Sequence, residues 1–118
     1  MRIIPTRVHG VIDYAMGILL IATPWLLNFS DSESPAATWV PVLLGIAVLL
    51  TSLMTAYELG LMKLIPMPVH LMADLGVGAI LLVSPWLFGF ADEVWSPHVV
   101  LGVLEIGVAL MTKTVPSQ

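Results

Sequence analysis

The chain has 118 residues, 58% hydrophobic and 10% charged, with a formal net charge of −4. So short a chain cannot hide that apolar share in a core of its own, since small domains leave much of their surface facing solvent, so lipid is the expected solvent. The acidic balance gives no basis for nucleic-acid binding, and the absence of cysteine removes disulfides, thiolate ligands and a thiol nucleophile.

In chain order, four apolar blocks approach the roughly 20 residues that cross about 30 Å of hydrocarbon. The first runs from about His9 to Phe29. It is too long for the core of a cleaved signal peptide, and its Pro-Trp ending recurs later in the chain, so it is read as a span. His9, Asp13 and Gly17 fall on one face of it, at i, i+4 and i+8. It ends in Thr23-Pro24-Trp25. Proline has no N–H and clashes with the carbonyl four residues back, here Leu20. The Thr23 hydroxyl can bond into the preceding turn, and Trp25 reaches the depth of an interfacial aromatic belt. A kinked, anchored helix end is expected, with an outer pocket as the functional alternative. The second block runs from about Trp39 to Tyr57.

The third block, from about Val69 to Phe90, writes the same stripe as His70, Asp74 and Gly78. It ends in Ser84-Pro85-Trp86, with Leu81 as the freed carbonyl. The fourth runs from about Trp95 to Met111. Glu105 falls near its middle, where charge is costly. A packing or interface role is expected for Glu105, neutralised by a proton or bonded to a hydroxyl such as Thr51 or Ser52; a proton-coupled role is the alternative. His98, in the first turn, is expected to be an exposed interfacial residue.

The halves align without a gap from Pro5–Asp31 to Pro66–Asp92, with His, Asp, Gly, Pro and Trp at matched positions. More loosely, Trp39 and Pro41 match Trp95 and Pro97, and Leu-Met-Thr at Leu53 matches Leu-Met-Thr at Leu110. The expected architecture is all-α: a polytopic membrane four-helix bundle of two parallel-repeat hairpins. It forms a single membrane domain, 1–118, with repeat one about 5–62 and repeat two about 66–115. Arg2, Arg7, Lys63 and Lys113 all lie on one side of the four spans, which places both termini in the cytoplasm. Two copies of [Ser/Thr]-Pro-Trp, each preceded by His-x-x-x-Asp, make the chain resemble the SPW-repeat family of small bacterial membrane proteins. The resemblance covers nearly the whole chain, although the first copy has Thr23 where the second has Ser84. It implies a fold and an inner-membrane location, and no activity.

Turned inward, the stripes would gather His9, Asp13, His70 and Asp74 near the cytoplasmic end, with Gly17 and Gly78 admitting close helix approach. A satisfied polar cluster that pins helix pairing is the leading expectation. A metal site of two His and two Asp, axial haem ligation by His9 and His70, and a proton or ion path are the alternatives. No phosphate-binding glycine loop, HExxH or nucleophile elbow occurs, and a His/Asp pair without a positioned Ser makes no triad, so no enzyme is called for. No cofactor is predicted. The expected role is a small structural or interaction subunit, in contact with the bilayer and with itself or a larger membrane partner. Proton- or ion-coupled transport and metal or cofactor carriage are the alternatives.

Overall fold

A computed structural model describes residues 2–31 and 33–115. The expected outer bounds of the domain, Met1 and Gln118, lie outside the described residues. The described chain is all-helical: α1 (Thr6–Leu26), α2 (Ala36–Leu53), α3 (Met67–Leu87) and α4 (Ser96–Met111). The first three are long and apolar enough to cross a bilayer. At 16 residues α4 is shorter, about 24 Å at 1.5 Å per residue. It begins at Ser96, with Trp95 as its N-cap and Pro97 in its first turn, where a missing N–H costs nothing.

Each hairpin closes on a pair of glycines. A Cβ on Gly45 would sit 2.7 Å from the Gly17 carbonyl oxygen, and one on Gly102 would sit 2.8 Å from that of Gly78. Helix backbones therefore touch at α1–α2 and again at α3–α4. The stripe expected to face one way divides its labour. Its glycines serve packing within each hairpin, and its His and Asp serve contact between hairpins.

The interior is as polar as it is apolar. Among the described residues thirteen polar or charged side chains are buried, and thirteen hydrophobic ones. The apolar ones form three layers along the long axis. Met16, Leu20, Val48, Leu81 and Leu101 make the middle layer. Tyr57, Met67, Leu71 and Ala109 lie toward the end that holds the segments before α1 and after α4, called the inner end for reference, and Phe29, Ala37 and Phe90 toward the opposite, outer end. Side chains such as Val11, Ile18, Leu43, Val83 and Val103 point outward instead. Polar inside and apolar outside is the arrangement that hydrocarbon solvent selects. Together with its apolar helices, it makes this a membrane protein. The long dimension of 48 Å also spans a bilayer with its headgroups, about 40–45 Å.

Short extended segments tie the inner end together. Ile3 and Ile4 N–H groups donate to the Met111 carbonyl, and Leu64 and Ile65 donate to that of Met54. The segment before α1 is thus fastened to the segment after α4, and the segment before α3 to that after α2.

Candidate functional site

That fastening brings the matched polar residues into one cluster. His9 Nε2 lies 2.9 Å from Asp13 Oδ2 on its own helix and 2.8 Å from Asp74 Oδ2 on α3. His70 Nε2 lies 2.6 Å from Asp13 Oδ2 and 3.1 Å from Asp74 Oδ2. Each carboxylate therefore serves both hairpins. All four side chains are buried, at 0–1% exposure. The rings meet edge to face with centroids 5.4 Å apart. At that spacing both rings share the same two carboxylates.

The far sides of the rings are held as well. Thr112 Oγ1 lies 2.8 Å from His9 Nδ1, and Thr55 Oγ1 lies 2.7 Å from His70 Nδ1. The Thr112 hydroxyl donates to the Val108 carbonyl at 2.6 Å and the Thr55 hydroxyl to the Thr51 carbonyl at 2.5 Å. With its one hydrogen so directed, each threonine oxygen accepts, and Nδ1 carries the imidazole hydrogen. Thr112 follows α4 and Thr55 follows α2, so each reaches the histidine of the opposite hairpin. Sequence reasoning noted the repeated Leu-Met-Thr and gave its threonines no role. The signal was present: the same threonine follows the second helix of each hairpin, in Leu53-Met54-Thr55 and again in Leu110-Met111-Thr112.

Several buried polar atoms beside the cluster have no hydrogen-bond partner: Asp13 Oδ1, Asp74 Oδ1, both Glu105 carboxyl oxygens, Ser52 Oγ and the Tyr57 hydroxyl. The bond expected between Glu105 and Thr51 or Ser52 is not made. Thr51 turns its hydroxyl onto the Val48 carbonyl of its own helix, 3.0 Å away. Asp13 and Asp74 are the charged groups that act on Glu105. Tyr57 lies past the end of α2 with its ring centroid 5.9 Å from that of His70. Burial pushes its phenol above the ordinary value. Four donor atoms, one each from His9, Asp13, His70 and Asp74, all lie within 4.8 Å of one another, so these residues could hold a metal ion.

The Pro-Trp motifs stand at the outer end. Pro24 and Pro85 fall in the last turns of α1 and α3, and each carbonyl accepts from two N–H groups beyond the helix. Pro24 accepts from Phe29 (2.8 Å) and Ser30 (3.1 Å), and Pro85 from Phe90 (2.8 Å) and Ala91 (2.9 Å). Asn28 (φ 59°) and Gly89 (φ 74°) provide the left-handed residue that such a C-terminal turn requires. The expected kink is thus a helix terminator. Ser84 donates to the Leu81 carbonyl, 2.7 Å, which Pro85 frees. Thr23 departs from this and donates to Leu19, 2.5 Å, one residue short of the freed Leu20 carbonyl. Trp25 and Trp86 are more than half exposed, as anchors in an aromatic belt would be. An apolar cleft of about 330 Å³ opens beside Thr23, lined by Leu19, Leu26, Val100 and Leu101, at the opposite end from the His/Asp cluster.

His98 corrects an expectation. It is 1% exposed, its Nε2 lies 2.9 Å from the Ala37 carbonyl oxygen, and its ring packs on Phe29 and Phe90. The two phenylalanines that follow the terminators fold over the outer end and cover it.

Comparison with curated proteins finds no match, and comparison with solved structures finds none either. The matched His-x-x-x-Asp faces and paired Pro-Trp terminators agree with a family assignment that spans both hairpins, from residue 7 to residue 112. The chain belongs to the SPW repeat domain family.

Proposed function

We infer that this is a small structural or interaction subunit of the cytoplasmic membrane, multi-pass, with four spans and both termini in the cytoplasm. The polar cluster pins its two hairpins into one four-helix bundle. The observation that carries the interaction role is a pair of glycines with nothing to do inside the chain. A Cβ added to Gly76 or Gly107 would meet no atom within 4 Å, whereas Gly17, Gly45, Gly78 and Gly102 are all crowded. Glycine in a helix interior costs about 1 kcal/mol relative to alanine. In lipid that cost is offset where a neighbouring helix approaches closely. A second transmembrane helix against the Gly76 and Gly107 faces fits this pattern. Proton-coupled transport remains the second reading, supported by the unpartnered Glu105 carboxyl in the interior.

The chain has no cysteine, so single cysteines are unique handles. With Gly76→Cys or Gly107→Cys, cross-linking in native membranes should give one discrete adduct, with the same chain or one partner. Cysteine at Leu43 or Val103 should give little. Lys63→Cys should label from the cytoplasmic side and Asp92→Cys from outside. A uniform pattern, or no adduct at either glycine, defeats the interaction reading; reversed labelling defeats the topology.

A further inference from the structure

With Nδ1 protonated toward Thr55 and Thr112, the lone pair of each neutral imidazole lies on Nε2. Both Nε2 atoms point at Asp13 Oδ2 and Asp74 Oδ2, 2.6–3.1 Å away. Four electron-rich atoms this close in a dry interior repel one another unless positive charge lies among them. Two charges balance the two carboxylates. Two added protons would provide them, and so would one dication.

The second carboxylate oxygens separate the two cases. In a proton-bonded quartet, Asp13 Oδ1 and Asp74 Oδ1 stay buried without a partner, and an orphaned buried acceptor is costly. A dication bound through the two Oδ2 atoms still lies beside each Oδ1, and its charge offsets part of that cost. The ring arrangement also suits a metal. The imidazoles approach at 82° to one another, and each has its far nitrogen held by a hydroxyl, as metal-bound histidines have theirs held.

We propose that His9, Asp13, His70 and Asp74 bind one divalent transition-metal ion of the zinc class, with Thr55 and Thr112 orienting the imidazoles. Imidazole and carboxylate donors without thiolate suit zinc and its neighbours. Tetrahedral ligation at about 2.0–2.1 Å sets neighbouring donors about 3.3 Å apart, so each N···O pair opens by a few tenths of an ångström. The ion is shared equally by the hairpins, and a lone monomer holds it, so the site does not depend on the interaction reading above.

The test uses full-length protein purified in detergent without a histidine tag. Metal is measured by mass spectrometry, then stripped and replaced with Zn²⁺ or Co²⁺. About one ion per chain and the intense visible spectrum of four-coordinate Co²⁺ are expected. Asp74→Asn and His70→Gln, which nearly preserve volume, should abolish uptake. Thr112→Val should weaken metal affinity by about 10–100-fold. Asp31→Asn, in the outer loop, should change nothing. Wild-type protein that retains no ion and develops no Co²⁺ spectrum overturns the proposal. So does uptake undiminished in folded Asp74→Asn and His70→Gln. The wild-type spectrum decides even where a variant fails to fold.

Discussion

A threonine hydroxyl has one hydrogen, and at Thr55 and Thr112 it goes to the helix carbonyl four residues back. That local bond fixes the tautomer of a histidine on the other hairpin. Thr55→Val and Thr112→Val keep the branched shape and remove the acceptor, leaving a buried Nδ1–H without a partner. Each should lose about 1–3 kcal/mol in a reversible unfolding assay in bicelles, and each Thr→Ser should recover most of it. Valine variants as stable as the parent would show that the hydroxyls do not hold the rings. These residues were hard to find from sequence because a threonine just past an apolar helix reads as a cap or a surface group. Residue type at an interface does not reveal burial, and His98 misled for the same reason. Its outer position was legible; the Phe29 and Phe90 side chains that cover it come from other elements.

Helices were more legible than their ends. The four apolar blocks gave the four elements in order, but α1, α2 and α3 each start two or three residues before their block and stop three or four residues sooner. Hydropathy continues through Leu27 and Phe29, whereas the helix stops at Leu26 and Asn28, two residues on, turns left-handed and closes the C-terminal turn. The glycine stripe was legible as a site of close approach, but not which helix approaches. Geometry settles that and makes a contrast testable. Gly45→Ala and Gly102→Ala place a methyl under 3.0 Å from a facing carbonyl oxygen. Each should cost about 1–3 kcal/mol as α1–α2 or α3–α4 is forced apart. Gly76→Ala and Gly107→Ala meet nothing and should gain up to about 1 kcal/mol in the isolated chain. Equal effects in the two sets, measured by the same unfolding assay, would contradict the close approach drawn here.

The whole molecule is two copies of one hairpin, neither of which satisfies its own polar face. His9 and Asp13 could bond within α1 alone, yet each also takes a partner from α3, and each histidine takes a threonine from the opposite hairpin. The repeat was legible because rare residue types recur at one offset. The crosswise bonding was not, since it depends on how the segments flanking the helices are fastened at the inner end. Shared bonding predicts how mutations combine. Asp13→Leu and Asp74→Leu should each leave insertion intact, since removing a charge from a span lowers the cost of entering lipid. Intramembrane hydrogen bonds average about 0.6 kcal/mol and reach roughly 1.7, so in metal-free protein each variant should lose about 1–2 kcal/mol in a steric-trap assay. Each Asp Oδ2 lies within 3.1 Å of both histidines, so the first substitution already removes a bond from each ring and breaks up the shared network. The double mutant gives up that same shared network only once, and its loss should fall short of the sum by at least about 0.5 kcal/mol, the usual signature of residues in one network. Strict additivity would mean that the hairpins are joined by something other than this cluster.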